Sequence, residues 1–280
     1  MIPMYNFIRT ILIHGFQAKN FQLLGWKGKF QTLFILNSLY VKSLIFKDKN
    51  VEITHKIFGY TISSYSYDFL LLLFTEIFIM QQYQFKASNS TPRIIDCGAN
   101  IGMAVIYFKI LYPNSEIVAF EPNPNVFALL EKNISQNNIQ GVHLRNEAVS
   151  DEEGKIEFFV GEYLGSMVGS TVMQRGGENV HQVDCVKLSS LLKDEMAHLV
   201  KIDIEGAEIQ VLNDLVSTGT IKNSNQYIIE FHHNILSSNH SLADFLKAFE
   251  NNDFKFSLKS TYTNPWSFQD ILLNFISKTT

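Results

Sequence analysis

The stretch Ile94-Ile95-Asp96-Cys97-Gly98-Ala99-Asn100-Ile101-Gly102 sets a short apolar run against a glycine-containing turn. The apolar run reads as a buried strand, and residues 101–111 read as a helix stopped by Pro113. A strand that passes through glycine into a helix is the opening unit of an open α/β sheet. Ligands of such sheets sit beyond the carboxyl ends of the strands, where the strand order reverses. Gly98 lets a ligand approach the backbone with no Cβ in the way.

The same alternation continues on the C-terminal side. Residues 116–120 read as a strand, 125–136 as a helix with Asn137-Asn138-Ile139-Gln140-Gly141 as its exit, and 142–146 as a third strand. Residues 155–160 look like an extra strand, and 161–180, with five glycines, read either as a solvated loop or as a lid over a site. Alternation resumes with 183–186, which leads to a short helix from Leu188. A central strand over 198–203, a helix over 207–216, a strand over 226–232 and a helix over 242–251 follow. Residues 254–258 and 271–276 are the expected closing strands. This order predicts a doubly wound, mostly parallel α/β sheet with helices on both faces. Residues 1–90 do not repeat the pattern: 1–35 look helical, 51–57 and 59–62 alternate as short strands, and 66–82 read as a helix. With the polar connection at 87–92, this predicts an N-terminal helical and β extension over 1–90 and a main domain over 91–280.

Composition narrows the function. Of 280 residues 46% are apolar and 13% aromatic, enough for a sizeable core, while 18% are charged. A net charge of −4 gives no phosphate-backbone footprint, so nucleic acid is not the expected partner. Cys97 and Cys185 form no metal or redox motif and read as buried thiols in a reducing compartment. The N-terminus lacks the basic region of a signal peptide, and a cytoplasmic protein is expected. The apolar run at 69–80 is twelve residues long and carries Glu76, too short to span a bilayer, and reads as a helix packed on the domain. Arg9, Lys19, Lys27 and Lys29, set among aromatics, leave a weak membrane-surface contact open. The oligomeric state is left open.

Three details favour S-adenosylmethionine (SAM) over a dinucleotide as cofactor. A pyrophosphate site carries Gly-x-Gly-x-x-Gly, whereas here Gly98 and Gly102 enclose Ala99, Asn100 and Ile101. SAM has no phosphate to cradle. Asp96, at the strand tip, would repel pyrophosphate and suits the ammonium group of SAM, directly or through water. Glu121, in Phe120-Glu121-Pro122, stands at the tip of the next strand, where a carboxylate accepts from both ribose hydroxyls; alone it would also fit NAD or read as a surface carboxylate, so the combination of the three decides. Asn100 reads equally as a helix cap, and Gly102 as a helix–strand packing residue. At the third strand's end, Asn146 or Glu147 suits the adenine amine and Ala148 its ring, or the three form an ordinary polar strand end.

In order, Ile95 to Gly102, Phe120 to Pro124, Asn146-Glu147-Ala148-Val149-Ser150-Asp151, Val183 to Leu192, Val200-Lys201-Ile202-Asp203-Ile204-Glu205-Gly206-Ala207-Glu208 and Ile229-Glu230-Phe231-His232 resemble the motifs of the FkbM family of SAM-dependent methyltransferases. The first motif is common to many class I methyltransferases, and the Lys201 to Glu208 motif is far more specific. The resemblance covers residues 65–235 or so. It implies a seven-stranded Rossmann-like methyltransferase sheet and O-methylation, often of sugars or of polyketide and other natural-product hydroxyls.

Methyl transfer is an in-line displacement at a sulfonium carbon, in which positioning and water exclusion do most of the work. A hydroxyl nucleophile also gains from a general base. Lys201, Asp203 and Glu205 alternate at the end of the central strand, and Glu230 and His232 at the end of its neighbour. Asp203, Glu230 and His232 are the expected catalytic residues, with Asp203 also beside the cofactor; His232 reads either as the base or as a hydrogen-bonded strand-end histidine. The same three side chains leave a divalent cation as an alternative, though no metal is expected. Glu205 and Glu208 read as helix N-terminal charges, and Lys201 as a carboxylate's partner. The expected acceptor is a small molecule or glycan. A noncatalytic SAM-binding module and a nucleotide-dependent oxidoreductase are the alternatives, the second opposed by the missing third glycine and by Asp96.

Overall fold

The structure, a computed structural model, describes residues 25–47, 51–161, 169–171, 177–233, 241–260 and 269–278. Most of the helix read over 1–35 and part of the loop read over 161–180 therefore lie outside the described residues. The first described element is α1 (Gly25–Ile45), which buries Ile35, Leu36 and Leu39. An antiparallel hairpin of β1 (Ile53–Ile57) and β2 (Tyr60–Ser64) follows. The next helix, α2 (Tyr67–Phe74), begins at Ser66, whose hydroxyl accepts from the Phe69 N–H at 3.3 Å. The reading of a single helix over 66–82 is corrected here: the backbone widens to a π-helix over Thr75–Ile79 and then ends. A π turn holds an extra residue, so side chains beyond Phe74 rotate relative to an α-helical continuation.

The main sheet then begins. In chain order come β3 (Arg93–Cys97), α3 (Met103–Leu111), β4 (Glu116–Phe120), α4 (Pro124–Ser135) and β5 (Val142–Arg145). After an excursion through β6 (Ala148–Ser150), β7 (Gly154–Val160), β8 (Gly169–Ser170) and β9 (Asn179–Lys187), the chain continues with α5 (Leu188–Leu192), β10 (Leu199–Ile202) and α6 (Glu208–Ser217). It closes with β11 (Gln226–His233), α7 (Leu242–Asn251), β12 (Phe254–Ser260) and β13 (Gln269–Ser277). The seven strands lie in the order β12-β13-β11-β10-β3-β4-β5. Neighbours from β11 to β5 pair in parallel, and β13 runs antiparallel to both of its neighbours. Strand order reverses between β3 and β10, which is where a ligand crevice belongs.

Alternation along β3 builds both faces. Ile94 joins the core that holds Val105, Phe108 and Leu130 of α3 and α4, while Ile95 joins the core that holds Leu188, Val211 and Phe249 of α5, α6 and α7. The first core also takes in Ile35, Leu36, Ile57, Ile62, Leu70 and Phe74, so the N-terminal elements cover one face of the sheet. Both cysteines are buried and free. Among the described residues, no helix is long and apolar enough to cross a membrane.

One strand belongs elsewhere than its sequence suggests. Residues 183–186 look like a return to the parallel sheet, yet β9 lies in a separate four-stranded sheet of order β6-β9-β7-β8. It pairs in parallel with β6 and antiparallel with β7. The exposed residues along β7 and β9 are those of an antiparallel sheet with one wet face.

Candidate functional site

The turn after β3 is closed by its neighbours. The Gly98 and Ala99 N–H groups donate to the Phe120 carbonyl at 3.0 and 2.8 Å. Gly98 has φ +82°, and a Cβ there would lie 1.8 Å from the Asp203 carbonyl oxygen, so no side chain fits. Asn100, also in the left-handed region at φ 51°, donates its N–H to Glu121 Oε2 at 3.0 Å. The Asn123 N–H donates to Glu121 Oε1 at 2.9 Å. Glu121 is buried, and that burial pushes its carboxyl up to about 7 against the lowering effect of the two N–H donors.

Lys201 organises the crevice floor. Its ammonium donates to the Gly98 carbonyl at 2.7 Å and stands 3.1 Å from Asp96 Oδ1 and 3.5 Å from Asp203 Oδ2. It also sits 5.0 Å above the Tyr83 ring, and the Tyr83 hydroxyl donates to Asp203 Oδ2 at 3.1 Å. Burial alone would lower the Lys201 pKa, but Asp96 and Asp203 raise it above its ordinary value. Lys201 therefore stays charged as the counterion of buried Asp96 and of Asp203 on the cavity wall.

His232 is buried at the end of β11 between carboxylates. Its Nδ1 lies 2.8 Å from Glu208 Oε1 and its Nε2 3.1 Å from Glu205 Oε2, with Asp270 Oδ1 at 3.8 Å and Asp203 Oδ1 at 4.0 Å. Burial opposes its charge, but Glu208 and Glu205 outweigh it, and its pKa stands well above the ordinary histidine value. A ring held as imidazolium has no lone pair for a substrate proton. Glu208, at the start of α6, also accepts from the Gly206 N–H at 2.9 Å. Two overlapping triads, Asp203 with Glu205 and His232, and Glu230 with His232 and Asp270, bring ligand atoms within 4.8 Å of one another.

Above this floor an open cavity of about 190 Å³ lies beyond the carboxyl ends of β3, β4, β10 and β11. That is well over the roughly 10–15 Å³ one water needs. Glu76, Asp203, Glu230 and Asp270 face it, and Phe69, Leu72 and Leu73 of α2 form an apolar side. Burial, reinforced by Asp203, pushes Glu76 up to about 7 and Glu230 up to about 9.

A sequence profile of the methyltransferase FkbM domain matches residues 96–256, more than half of the chain. The chain belongs to the FkbM methyltransferase family. Methyltransferase 1 of Beauveria bassiana is 30% identical over 161 residues, spanning 50% of this chain and 65% of that protein. The 31-O-demethyl-FK506 methyltransferase FkbM of Streptomyces tacrolimicus is 28% identical over 50% of this chain and 66% of its own length. The hexuronic acid methyltransferase AglP of Haloferax volcanii is 27% identical over 49% of this chain and 54% of its own length. These matches thus span less than two thirds of the curated relatives.

Within this FkbM domain, Gly98, Ala99, Asn100, Glu121, Pro122, Glu147, Ala148, Asp203 and Glu230 all line the cavity. Four residues expected at the site do not line it. Asp96 is wholly buried and faces Lys201. Gly102, at φ +89°, lies where a Cβ would come 2.8 Å from Leu130 Cδ1, so it serves the packing of α3 on α4. Asn146 donates to the carbonyls of Glu121 and Pro122 at 2.8 and 3.1 Å, which fixes the strand end. His232 lies behind the wall that Glu205 forms. The cap reading of Asn100 is corrected: the α3 N-cap is Gly102, and Asn100 Oδ1 accepts from the adjacent Ile101 N–H at 2.8 Å. Lys201 pairs with carboxylates as its sequence position suggested. Glu76, Tyr83 and Asp270 line the cavity without having been singled out as site residues. The signal for Glu76 was visible, as the one acid inside the apolar run at 69–80. Nothing in the sequence around Tyr83 or Asp270 distinguishes them from surface residues. Ser170 hydrogen-bonds the Glu205 carbonyl and so ties the small sheet to the site, with Gly169 and Thr171 on the cavity wall.

Proposed function

We propose that this chain is a SAM-dependent methyltransferase acting on a hydroxyl of a sugar or natural product. The observation that carries the reading is the cavity's charge. Seven Asp and Glu side chains line it against one Lys, Lys201, and no Arg among the described lining residues, so acids outnumber the cation even with Glu230 protonated and Glu76 and Glu121 about half ionised. That donor set fits SAM, which is cationic at both its sulfonium and its ammonium group, and opposes a pyrophosphate. Glu121 would hold the ribose hydroxyls, since each of its oxygens accepts one backbone N–H and keeps acceptor capacity. Glu147 and Ala148 would flank the adenine, with Glu147 held by Arg145 at 2.6 and 2.9 Å. When bound, SAM supplies a methyl group on a sulfonium with a neutral thioether as leaving group. The names of the Streptomyces and Haloferax relatives, which specify 31-O-demethyl-FK506 and a hexuronic acid, support a hydroxylated acceptor.

Of the groups facing the cavity, Glu76 is matched to take the acceptor's proton, because a carboxyl near 7 is half ionised at neutral pH. Glu230, pushed higher, holds its proton and orients the acceptor as a donor. Asp203 fixes Tyr83 and Lys201 beside them. His232 serves as a positioning residue for Glu205 and Glu208.

The test is SAM conversion to S-adenosylhomocysteine with monosaccharide and polyketide-type alcohol acceptors. Acceptor-dependent turnover is expected. Glu76→Gln should lower kcat by about 10²–10⁴ while SAM affinity stays within about twofold. SAM binding without turnover for any acceptor would make the chain a binding module, and absence of SAM binding would sink the proposal. A chelator should leave turnover unchanged, because His232 is committed to Glu205 and Glu208. Loss on chelation would reassign those acids to a cation.

A further inference from the structure

We propose that the outward face of α1 docks on an anionic lipid surface. The helix carries apolar residues all round, yet only one side of it is covered. Gly28, Thr32, Ile35, Leu36, Leu39 and Ser43 face the protein. Trp26, Phe30 and Phe34, one turn apart on the other side, are 69%, 69% and 75% exposed. Trp26 and Phe30 meet edge to face at 6.2 Å, and Phe46, just beyond the helix, is also exposed. These four are the exposed Trp and Phe side chains among the described residues. Single exposed apolar groups are ordinary, but an aligned aromatic row on one helix marks an interaction surface.

Charge identifies the occupant. Residues 1–47 contain Arg9, Lys19, Lys27, Lys29, Lys42 and Lys47 and no Asp or Glu. They carry +6, so the chain's net −4 leaves −10 on residues 48–280. A second copy of this chain, whose net charge outside this segment is acidic, offers the apolar row no apolar interior beneath its charge. A lipid surface bearing negative headgroups over an apolar interior suits it well: aromatic rings sit at the headgroup boundary and lysine stems reach outward to the charge. Lys27 lies 5.9 Å from the Trp26 ring, so cation and aromatic share one place on the helix. On its covered side α1 packs against α2, the helix whose Phe69, Leu72 and Leu73 line the cavity. Docking would therefore leave α1 between the lipid and the helix that forms the cavity's apolar side.

Cosedimentation of the full chain with vesicles tests this, using phosphatidylcholine alone and with phosphatidylglycerol in about a 7:3 ratio. Binding to the mixed vesicles is expected, weaker by about tenfold or more without the anionic lipid and weakened by added salt. The variant Trp26→Ser/Phe30→Ser/Phe34→Ser should lose binding. Lys27→Glu/Lys29→Glu, which leaves the aromatic row intact, should lose at least about tenfold, since each basic side chain near such a surface contributes about fivefold. Thermal melts matching the parent confirm that either variant is folded; should the triple variant not fold, the charge variant decides alone. A chain that stays in the supernatant with both vesicles overturns the proposal, as does binding unchanged by the substitutions. A concentration-dependent dimer abolished by the same substitutions would give the face to a second copy instead.

Discussion

Glu121 receives one backbone N–H on each oxygen, and burial still lifts its carboxyl to about 7. Its ionised form only accepts, whereas its protonated form must spend one oxygen on a donor O–H. If Glu121 holds ribose hydroxyls, protonation removes acceptor capacity. SAM affinity should therefore fall as pH drops through about 7 and level off above about 8, read by isothermal titration. Glu121→Gln should weaken binding by about tenfold and flatten that profile, the loss expected for one charged hydrogen bond. A parent whose affinity does not change with pH would remove Glu121 from the ribose. This residue was legible in the sequence because strand-tip position alone carries it to the crevice. His232 was legible as a strand-end histidine near acids, but its state was not. Whether it is a base depends on Glu205 and Glu208, which reach its two nitrogens only through the turn into α6, where Glu205 itself takes φ 58°. Left-handed backbone at a glutamate leaves no pattern that periodicity can detect.

Strands and helices with a strong period were legible nearly to their ends, as β4 and α7 show. What the period could not say is which sheet a strand joins. Half-buried alternation looks the same in β9 as in an edge strand of the main sheet, and the chain passes from β5 of that sheet to β6, the parallel partner of β9, through residues 146–147, which carry no glycine or proline to mark the change. The π turn after α2 was equally hidden, because one added residue blurs an apolar stripe without breaking it. The β1–β2 hairpin was visible as alternation, and its contact with α1 yields a prediction. His55 of β1 is buried, and Lys42 of α1 lies 3.1 Å from its Nδ1. Burial first, and the Lys42 charge second, lower its pKa from 6.5 to about 4. The folded value lies below the unfolded one, so the unfolded chain binds a proton first as pH falls. The stability His55 contributes is present above 6.5 and is lost as pH falls toward 4. Between pH 7 and 5 the parent should lose about 2 kcal/mol more than His55→Gln in urea unfolding. Identical pH slopes would show that the ring titrates as if exposed.

At the scale of the molecule, the open question is whether residues 1–90 are a separate unit appended to the methyltransferase sheet. The polar connection at 87–92 suggests a boundary, but the packing runs across it. Ile35, Leu36, Ile57, Ile62, Leu70, Phe74 and Phe78 share one core with Val105, Phe108 and Leu130. Phe78 meets Tyr107 edge to face at 5.4 Å, and Phe85 meets Phe108 at 5.8 Å. Polar contacts cross as well. Asn133 of α4 accepts from the Ser63 N–H at 2.7 Å and donates to the Ser63 carbonyl at 3.0 Å, so its buried amide is satisfied by the hairpin. Burial of each large apolar side chain contributes roughly 1.5–3 kcal/mol. Seven such groups together contribute roughly 10–20 kcal/mol, as large as the roughly 5–15 kcal/mol by which a domain is stable. Residues 91–280 expressed alone would expose the α3 and α4 face and leave Asn133 without its partners. That fragment is expected to aggregate or to lack near-ultraviolet circular dichroism, while the whole chain unfolds in one calorimetric transition. A soluble fragment with native-like spectra and its own cooperative melt would instead make the extension a dispensable attachment, and with it the apolar side that α2 gives the cavity.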